Sequence, residues 1–414
     1  MEWVACVGVD WGDQQHACMV QSREGTRKAT RLGNSPEEIH QWIRQLREQY
    51  PNGTIVVALE QGQWSLIYAL MVYEFVALVP LNPRASKAYR ESLRLSGASD
   101  DASDAALICD FVIKHVDELR VWRADDVRTR KIRMLSEQRR SLVDQRTAFT
   151  HALSATLKEY FPQVLQWFGS ETSPHLRAFV SRWPTLEQAR DASEDQLTAT
   201  LKSSGKRKAS VAAREVKEKI RAAVALTYDR AIIEVQSLHA RSLIALIEPL
   251  DEQIAKYDQA IAGTWADYPD REIFDSLPGA GAVMAPRLAV AFGLDRSRYD
   301  DAREIQNYSG IAPVTEQSGK QRWTHARWGF PTFLHQTFHE FAQASLPKCK
   351  WAKSFYDQQR ERGAAHHQAI RSLAFRWIRI LFRMWKTGQP YHDARYVEAL
   401  KQKHSSIADR LAAA

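Results

Sequence analysis

From Trp3 to Asp10 the chain reads WVACVGVD, an apolar run that ends on a carboxylate. Val4, Val7 and Val9 are β-formers, and Gly12-Asp13-Gln14 breaks the run. The pattern predicts a buried strand that carries Asp10 to the rim of a sheet. Thr54 to Leu59 (TIVVAL) repeats the device and delivers Glu60. Between the two lie strand patterns at His16 to Val20 and around Lys28 to Leu32, which read as an antiparallel meander. A helix follows, with Ser35 as N-cap, Pro36 at its first position and Glu38 placed to close a capping box. Its Ile39, Trp42, Ile43 and Leu46 fall on one face.

After Glu60 the periodicity predicts a helix from Trp64 to Tyr73, a strand from Val76 to Leu81, a turn at Asn82-Pro83 and two more helices. The last holds SDDASDAALICDF, in which Asp101 and Asp104 share a face at i and i+3. Strand-strand-strand-helix-strand-helix-strand-helix is the order of an α/β RNase H-like, or RuvC-like, domain, expected over residues 1–125.

A helical, coiled-coil middle is expected over residues 126–265. Val127 to Tyr160 carries Leu135, Leu142 and Phe149 at seven-residue spacing, with Arg128, Arg130, Lys131, Arg133, Arg139, Arg140 and Arg146 around them. That basic face either tracks phosphates or is a solvated helix surface. LKSSGKRKAS, near residue 200, reads as an exposed basic loop. A second long helix ends near Gly263, and Ile247, Leu250, Ile254, Tyr257 and Ile261 give it a seam. The seam pairs with another chain or folds back on the first long helix. Pro249 predicts a kink or a break within it.

Residues 266–414 read as a mostly α C-terminal domain. SLPGAGAVMAPRLAVAFG resembles a helix-hairpin-helix, where Gly279 and Gly281 let backbone N–H groups approach a DNA phosphate; an ordinary glycine turn between packed helices is the alternative. The string YSGIAPVTEQSGKQRWTHARWG then reads as a polar, basic and aromatic loop. The last clear helix, His367 to Lys386, buries Ile370, Leu373, Trp377, Leu381 and Met384 and ends at Gly388.

Composition narrows the partners. Lys and Arg outnumber Asp and Glu by 57 to 49, a net +8 that leans toward a polyanion. Cys6, Cys18, Cys109 and Cys349 are scattered, without zinc spacing or a disulfide framework. No apolar run reaches membrane-spanning length and the start lacks a basic leader, so a soluble, cytoplasmic protein is expected.

Strand-end acids Asp10 and Glu60 and the helical pair Asp101 and Asp104 can converge on one pocket. Carboxylates gathered without cations repel, so such a pocket is expected to hold Mg²⁺. Asp13 is a rival acid, and Asp100 can take the place of Asp101. Asp10-Trp11-Gly12 also suits the phosphate hairpin of actin-like sugar kinases, but no Asp-Gly-Gly loop or Gly-rich adenosine motif accompanies it. Ser318 precedes Gly319 in a loop with Lys320 and Arg322. His335 and His339 stand at i and i+4 without a third ligand in the sequence, and read as helix surface.

The strand ending in Asp10, VALE at Glu60, LNP at 81–83 and the Asp-Ala-Ser-Asp-Ala string resemble the N-terminal domain of IS110-family transposases, DEDD recombinases related to the Piv invertase. LPGAGAVMAPRLAVAFG, YSGIAPVTEQSG and the later Trp328-Gly329 resemble that family's second domain. The resemblance implies an RuvC-like nuclease fold with Asp10, Glu60, Asp101 and Asp104 as metal-binding catalytic acids. It implies Ser318 as a nucleophile that bonds to DNA, a coiled-coil linker that makes a dimer or tetramer, and guidance by a structured bridge RNA. Gly279, Gly281, Gly319, Lys320 and Arg322 are the expected nucleic-acid contacts. The chain departs from the family in having Trp11-Gly12-Asp13 after its first acid and Gln61-Gly62 after its glutamate. A Holliday-junction nuclease and a non-catalytic nucleic-acid-binding protein are the competing readings.

Overall fold

The computed structural model describes residues 2–60, 64–93, 100–119, 121–169, 172–319, 321–327 and 329–412. Two compact units divide between Ala124 and Asp125.

The first unit holds β1 (Trp3–Asp10), β2 (Gln15–Ser22), β3 (Arg27–Gly33), α1 (Pro36–Gln49), β4 (Thr54–Glu60), α2 (Trp64–Leu70), β5 (Val76–Leu81), α3 (Pro83–Leu93) and α4 (Asp101–Lys114). The strands form one sheet in the order β3-β2-β1-β4-β5. β1, β2 and β3 pair antiparallel, whereas β4 runs parallel to β1 and β5 to β4. Side chains alternate along a strand. Ala5, Val7, Val9, Ile55, Val57 and Leu59 therefore face α1 and α2 in one core. Cys6, Val56 and Ala58 face Ile108, Cys109 and Val112 of α4 in the other. The capping box of α1 forms as its sequence predicts, and Ile39, Trp42, Ile43 and Leu46 are its buried face.

Gly8 sets how close α4 can come. A Cβ at that position would stand 2.2 Å from the Ala105 carbonyl oxygen and 2.5 Å from the Cys109 nitrogen. Only a bare backbone lets the helix lie directly on β1.

The second unit opens with α5 (Val127–Tyr160), followed by α6 (Gln163–Phe168), α7 (Pro174–Arg182), α8 (Leu186–Asp191), α9 (Glu194–Ser203), α10 (Ala209–Ala222) and α11 (Arg230–Trp265). Ion pairs Arg139–Asp258 and Arg146–Asp251 fix α5 and α11 antiparallel, since numbers rise on one helix as they fall on the other. The isoleucine seam Ile247, Ile254 and Ile261 is buried within this chain, folded back on α5. α11 continues through Pro249 instead of breaking there. On α5 the buried line is Ile132, Ser136, Thr150, Leu153 and Leu157, and Leu135, Leu142 and Phe149 beside it are half-buried. The short helices between the long pair share a core with Leu153, Leu157, Leu243 and Ile247.

The remainder comprises α12 (Arg271–Asp275), α13 (Gly281–Phe292), α14 (Ala302–Tyr308), a hairpin of β6 (Val314–Ser318) and β7 (Gln321–His325), and α15 (Thr332–Ser345), α16 (Lys350–Glu361), α17 (His366–Thr387), α18 (Asp393–Gln402) and α19 (Ser406–Ala412). α13 is buried from Met284 to Phe292, and Trp351, Trp377 and Trp385 complete a dense aromatic core. Cys6, Cys18, Cys109 and Cys349 are buried and free. Among the described residues no helix is long and apolar enough to cross a membrane.

Candidate functional site

Asp10 and Glu60 inherit their positions from the register. Val9 lies opposite Leu59 on parallel strands, so the acids that follow end neighbouring strands together. By the same alternation both fall on the face covered by α4, in phase with Gly8 and Ala58. α4 begins at that rim with Asp101 and Asp104 in its first turn; Asp104 is buried and Asp101 exposed. Asp100 caps the helix, accepting the Ser103 N–H at 3.0 Å.

The electrostatics register this convergence. The Asp10 carboxyl is pushed up from 3.8 to about 6, first by burial and then by the charges of Asp104, Asp101 and Glu60. Arg90 of α3 opposes the rise. Its guanidinium Nη2 stands 2.9 Å from Asp104 Oδ2, an ion pair.

A set of carboxylate oxygens is the hard donor set that Mg²⁺ and Mn²⁺ prefer. Asp104 Oδ1 is buried with no hydrogen-bond partner, as is Arg90 Nε. By chemistry the residues fit such an ion. Among the described residues, however, no three His, Cys, Asp or Glu side chains lie close enough together to hold one.

Ser318 stands on a different kind of element. The polar string expected as a loop is a tight β-hairpin in which Ser318 ends β6 and pairs with Gln321. Gly319 turns the chain with φ +57, and a Cβ there would meet nothing. Ser318 and Arg322 are exposed, and Arg322 pairs with Gln317 on the opposite face of the ribbon. Lys320 and Trp328 lie outside the described residues. The register puts Glu316, Trp323 and His325 on the Ser318 face. His325 Nε2 and Glu316 Oε1 are 2.8 Å apart, a bond that raises the imidazole pKa and lowers the carboxyl's. Ser309 is fully buried and donates to the Gln306 carbonyl.

Gly279 and Gly281 separate. Gly279, at φ +82, lets the backbone approach α15, since a Cβ there would stand 2.4 Å from the Ala344 carbonyl oxygen. Its freedom is spent on packing. Gly281, at φ +54, is exposed with open space beside it at the start of α13. His335 and His339 are half-buried, not free helix surface. His367 of α17 comes 5.5 Å from His339, centroid to centroid, and burial lowers the pKa of both α15 histidines.

A transposase family model for the IS110 type, with the DEDD acidic signature, matches residues 7–162, and the model of the IS116/IS110/IS902 transposase family matches 271–357. This chain belongs to the IS110 family of transposases. The mini-circle protein of Streptomyces coelicolor assigned as the transposase for IS117 is 27% identical over 95% of this chain and 97% of its own length. A 42 kDa protein of insertion element IS900 from Mycobacterium paratuberculosis is 26% identical over 94% and 97%. A 44.8 kDa protein of IS116 from Streptomyces clavuligerus is 25% identical over 94% and 96%.

As an IS110-family transposase the chain acts on DNA, and the family's acidic domain implies a divalent metal. Sequence reasoning about this transposase missed Arg90, because nothing in KAYRESL marks one arginine as facing acids more than ten positions further on. The hairpin was within reach. Alternating VTEQS and QRWTH around Gly-Lys is a two-residue turn signal. Much of the basic face of α5 is committed to ion pairs within the second unit. Arg139 and Arg146 pair with α11, Arg140 with Glu340 of α15 at 2.5 Å, and Arg133 with Asp125 at 3.1 Å.

Proposed function

We propose that this transposase cuts and rejoins DNA through a covalent phosphoserine intermediate, using an RNase H-like acid site that holds Mg²⁺. The observation that carries the reading is the convergence of the Asp101, Asp104 and Glu60 charges on Asp10, at one sheet rim within the family's acidic domain. The strand order β3-β2-β1-β4-β5, antiparallel on one side and parallel on the other, supports the RNase H-like assignment.

Asp10, Glu60, Asp101 and Asp104 would hold the ion, which when bound polarises the scissile phosphate and offsets developing negative charge. With a pKa near 6, Asp10 is ionised at pH 7 to 8. Ser318 Oγ attacks phosphorus as its proton leaves to a base. The Oγ–P bond forms while the P–O bond to the departing sugar breaks, and that oxygen keeps the bonding pair and takes up a proton. Arg322 and exposed Trp323 on the same hairpin suit a phosphate and a base face. Gly281, at the exposed start of α13, offers a close backbone approach to a phosphate.

Guidance by a structured RNA is supported by the exposed tip Lys202, Lys206, Arg207 and Lys208, joining α9 to α10. A homo-oligomer, dimer or tetramer, is supported by the outer face of α11. There Ala231, Val235, Leu238, Ser242 and Ala245 repeat at alternating four- and three-residue steps and stay exposed.

The test is to purify the protein from cells carrying the whole element, add donor DNA and Mg²⁺, trap the products and map the adduct by mass spectrometry. A DNA-linked Ser318 is the expected product. A link to another residue would assign a different protein nucleophile, whereas adduct-free cleavage by Ser318→Ala would assign water and make the protein a nuclease of the Holliday-junction type. Binding without cleavage in the wild type would leave a nucleic-acid-binding protein.

A further inference from the structure

Arg90 brings a positive charge into a group of acids that otherwise repel one another. Its contact with Asp104 is single-pointed: Nη2 reaches Oδ2 at 2.9 Å, while Arg90 Nε and Asp104 Oδ1 are each buried without a partner. A guanidinium built to lock a carboxylate presents its fork to both oxygens, which satisfies both groups and fixes their geometry. Here the fork is half used and one oxygen of a nine-tenths buried carboxylate stays uncommitted. Nor does Arg90 belong to the core: its side chain is 30% exposed on α3, whereas Asp104 at 10% is fixed on α4. Of the two partners, the arginine is the one with room to leave.

We infer that Arg90 is a placeholder cation: it occupies Asp104 in the metal-free protein and must release that carboxylate for a divalent ion to bind. The inference rests on the acid site proposed above. It accounts for two observations together, the acids that converge electrostatically and the lack, among the described residues, of three close enough to share an ion. With the guanidinium on Asp104, the site is neutralised from the side and the carboxylates have no cation to draw them inward. Removing it leaves Asp104 uncompensated, which raises the free energy of the metal-free state and strengthens attraction for a divalent ion. Arg90 is thus a positioning residue for Asp104.

The test is titration of Mn²⁺ into the chelator-stripped full-length protein, by calorimetry and by thermal unfolding. Wild type, Arg90→Gln, Arg90→Lys and Asp10→Asn are compared. Arg90→Gln is expected to bind Mn²⁺ at least about tenfold more tightly than wild type and to melt at a lower temperature without metal. Adding Mn²⁺ should return most of the lost midpoint. Arg90→Lys, which keeps the charge, should stay within about threefold of wild type, and Asp10→Asn should bind more weakly. An Arg90→Gln protein that folds only when Mn²⁺ is present also supports the inference. Equal or weaker Mn²⁺ binding by Arg90→Gln, with wild type binding normally, overturns it and leaves Arg90 a simple tether of α3 to α4. Absence of Mn²⁺ binding by wild type and Arg90→Gln alike overturns the acid-site reading and this inference with it.

Discussion

The acid rim of the first unit and the serine hairpin of the second carry the proposed chemistry on opposite kinds of support. Asp10 and Glu60 end buried strands, Asp104 is buried in the first turn of α4, and Gly8 gives up its side chain so that the helix can approach. Ser318 ends an exposed strand of a two-stranded ribbon, with Gly319 open to solvent at the turn. The difference follows from what each group must do. Carboxylates that share charge have to be held against their own repulsion, and only a packed core supplies that force. A nucleophile that must reach a phosphodiester in a large polyanion needs access, which an exposed ribbon gives. Substitutions at the rim should therefore couple activity to stability, whereas those on the hairpin should separate them.

The sharpest separation is expected at Ser318. Ser318→Ala should abolish the protein–DNA adduct while its melting temperature and nucleic-acid binding stay at wild-type values. A drop of several degrees would mean the hairpin is a structural element after all.

Asp10→Asn should lower cleavage by at least about a thousandfold, and here stability should move too. Folding raises the Asp10 pKa to about 6, so the folded state binds its proton more tightly than the unfolded chain between about pH 4 and pH 6. The stability this contributes is complete at low pH and is lost as pH rises through 6. Asn carries no charge to repel its neighbours. In metal-free buffer Asp10→Asn should be more stable than wild type at pH 8, and the gap should close as pH falls toward 4. Urea melts across that range measure it; a gap that widens on acidification would reverse the assignment of cause.

Glycine substitutions compare the supports directly. Gly8→Ala puts a Cβ against the backbone of Ala105 and Cys109, and should cost about 3 kcal/mol as well as activity, because α4 must lift with Asp101 and Asp104. Gly319→Ala meets no atom and should cost only about 1 kcal/mol, from its positive φ. Equal losses at the two positions would erase the distinction between rim and ribbon.

The smallest effect is expected at the basic tip between α9 and α10. Replacing Lys206, Arg207 and Lys208 with Ala should leave folding and metal binding unchanged and weaken RNA retention by severalfold. The salt dependence should also become shallower by roughly one unit of slope per lost phosphate contact. An RNA yield equal to wild type would remove that tip from the nucleic-acid surface.

Local order was legible because local signals carried it. WVACVGVD and TIVVALE are strands with the predicted acid ends, the Ser35 capping box starts its helix, and Val127–Tyr160 is one helix from end to end. Periodicity, capping and breakers act within a few residues, so a single sequence displays them. Asp10 and Glu60 were legible as strand-end carboxylates for the same reason: a charge at the end of an apolar run is visible before any fold is known. Which charges meet was decided elsewhere. Arg90 against Asp104, Arg140 against Glu340 two hundred positions away, and Gly279 against the Ala344 carbonyl are products of tertiary packing. Each depends on where whole helices come to rest, and that is set by summed burial rather than by any residue's own neighbours. The sequence by itself determined the strands, the helices and the acids; only the folded chain decided which arginines neutralise acids and which glycine serves packing.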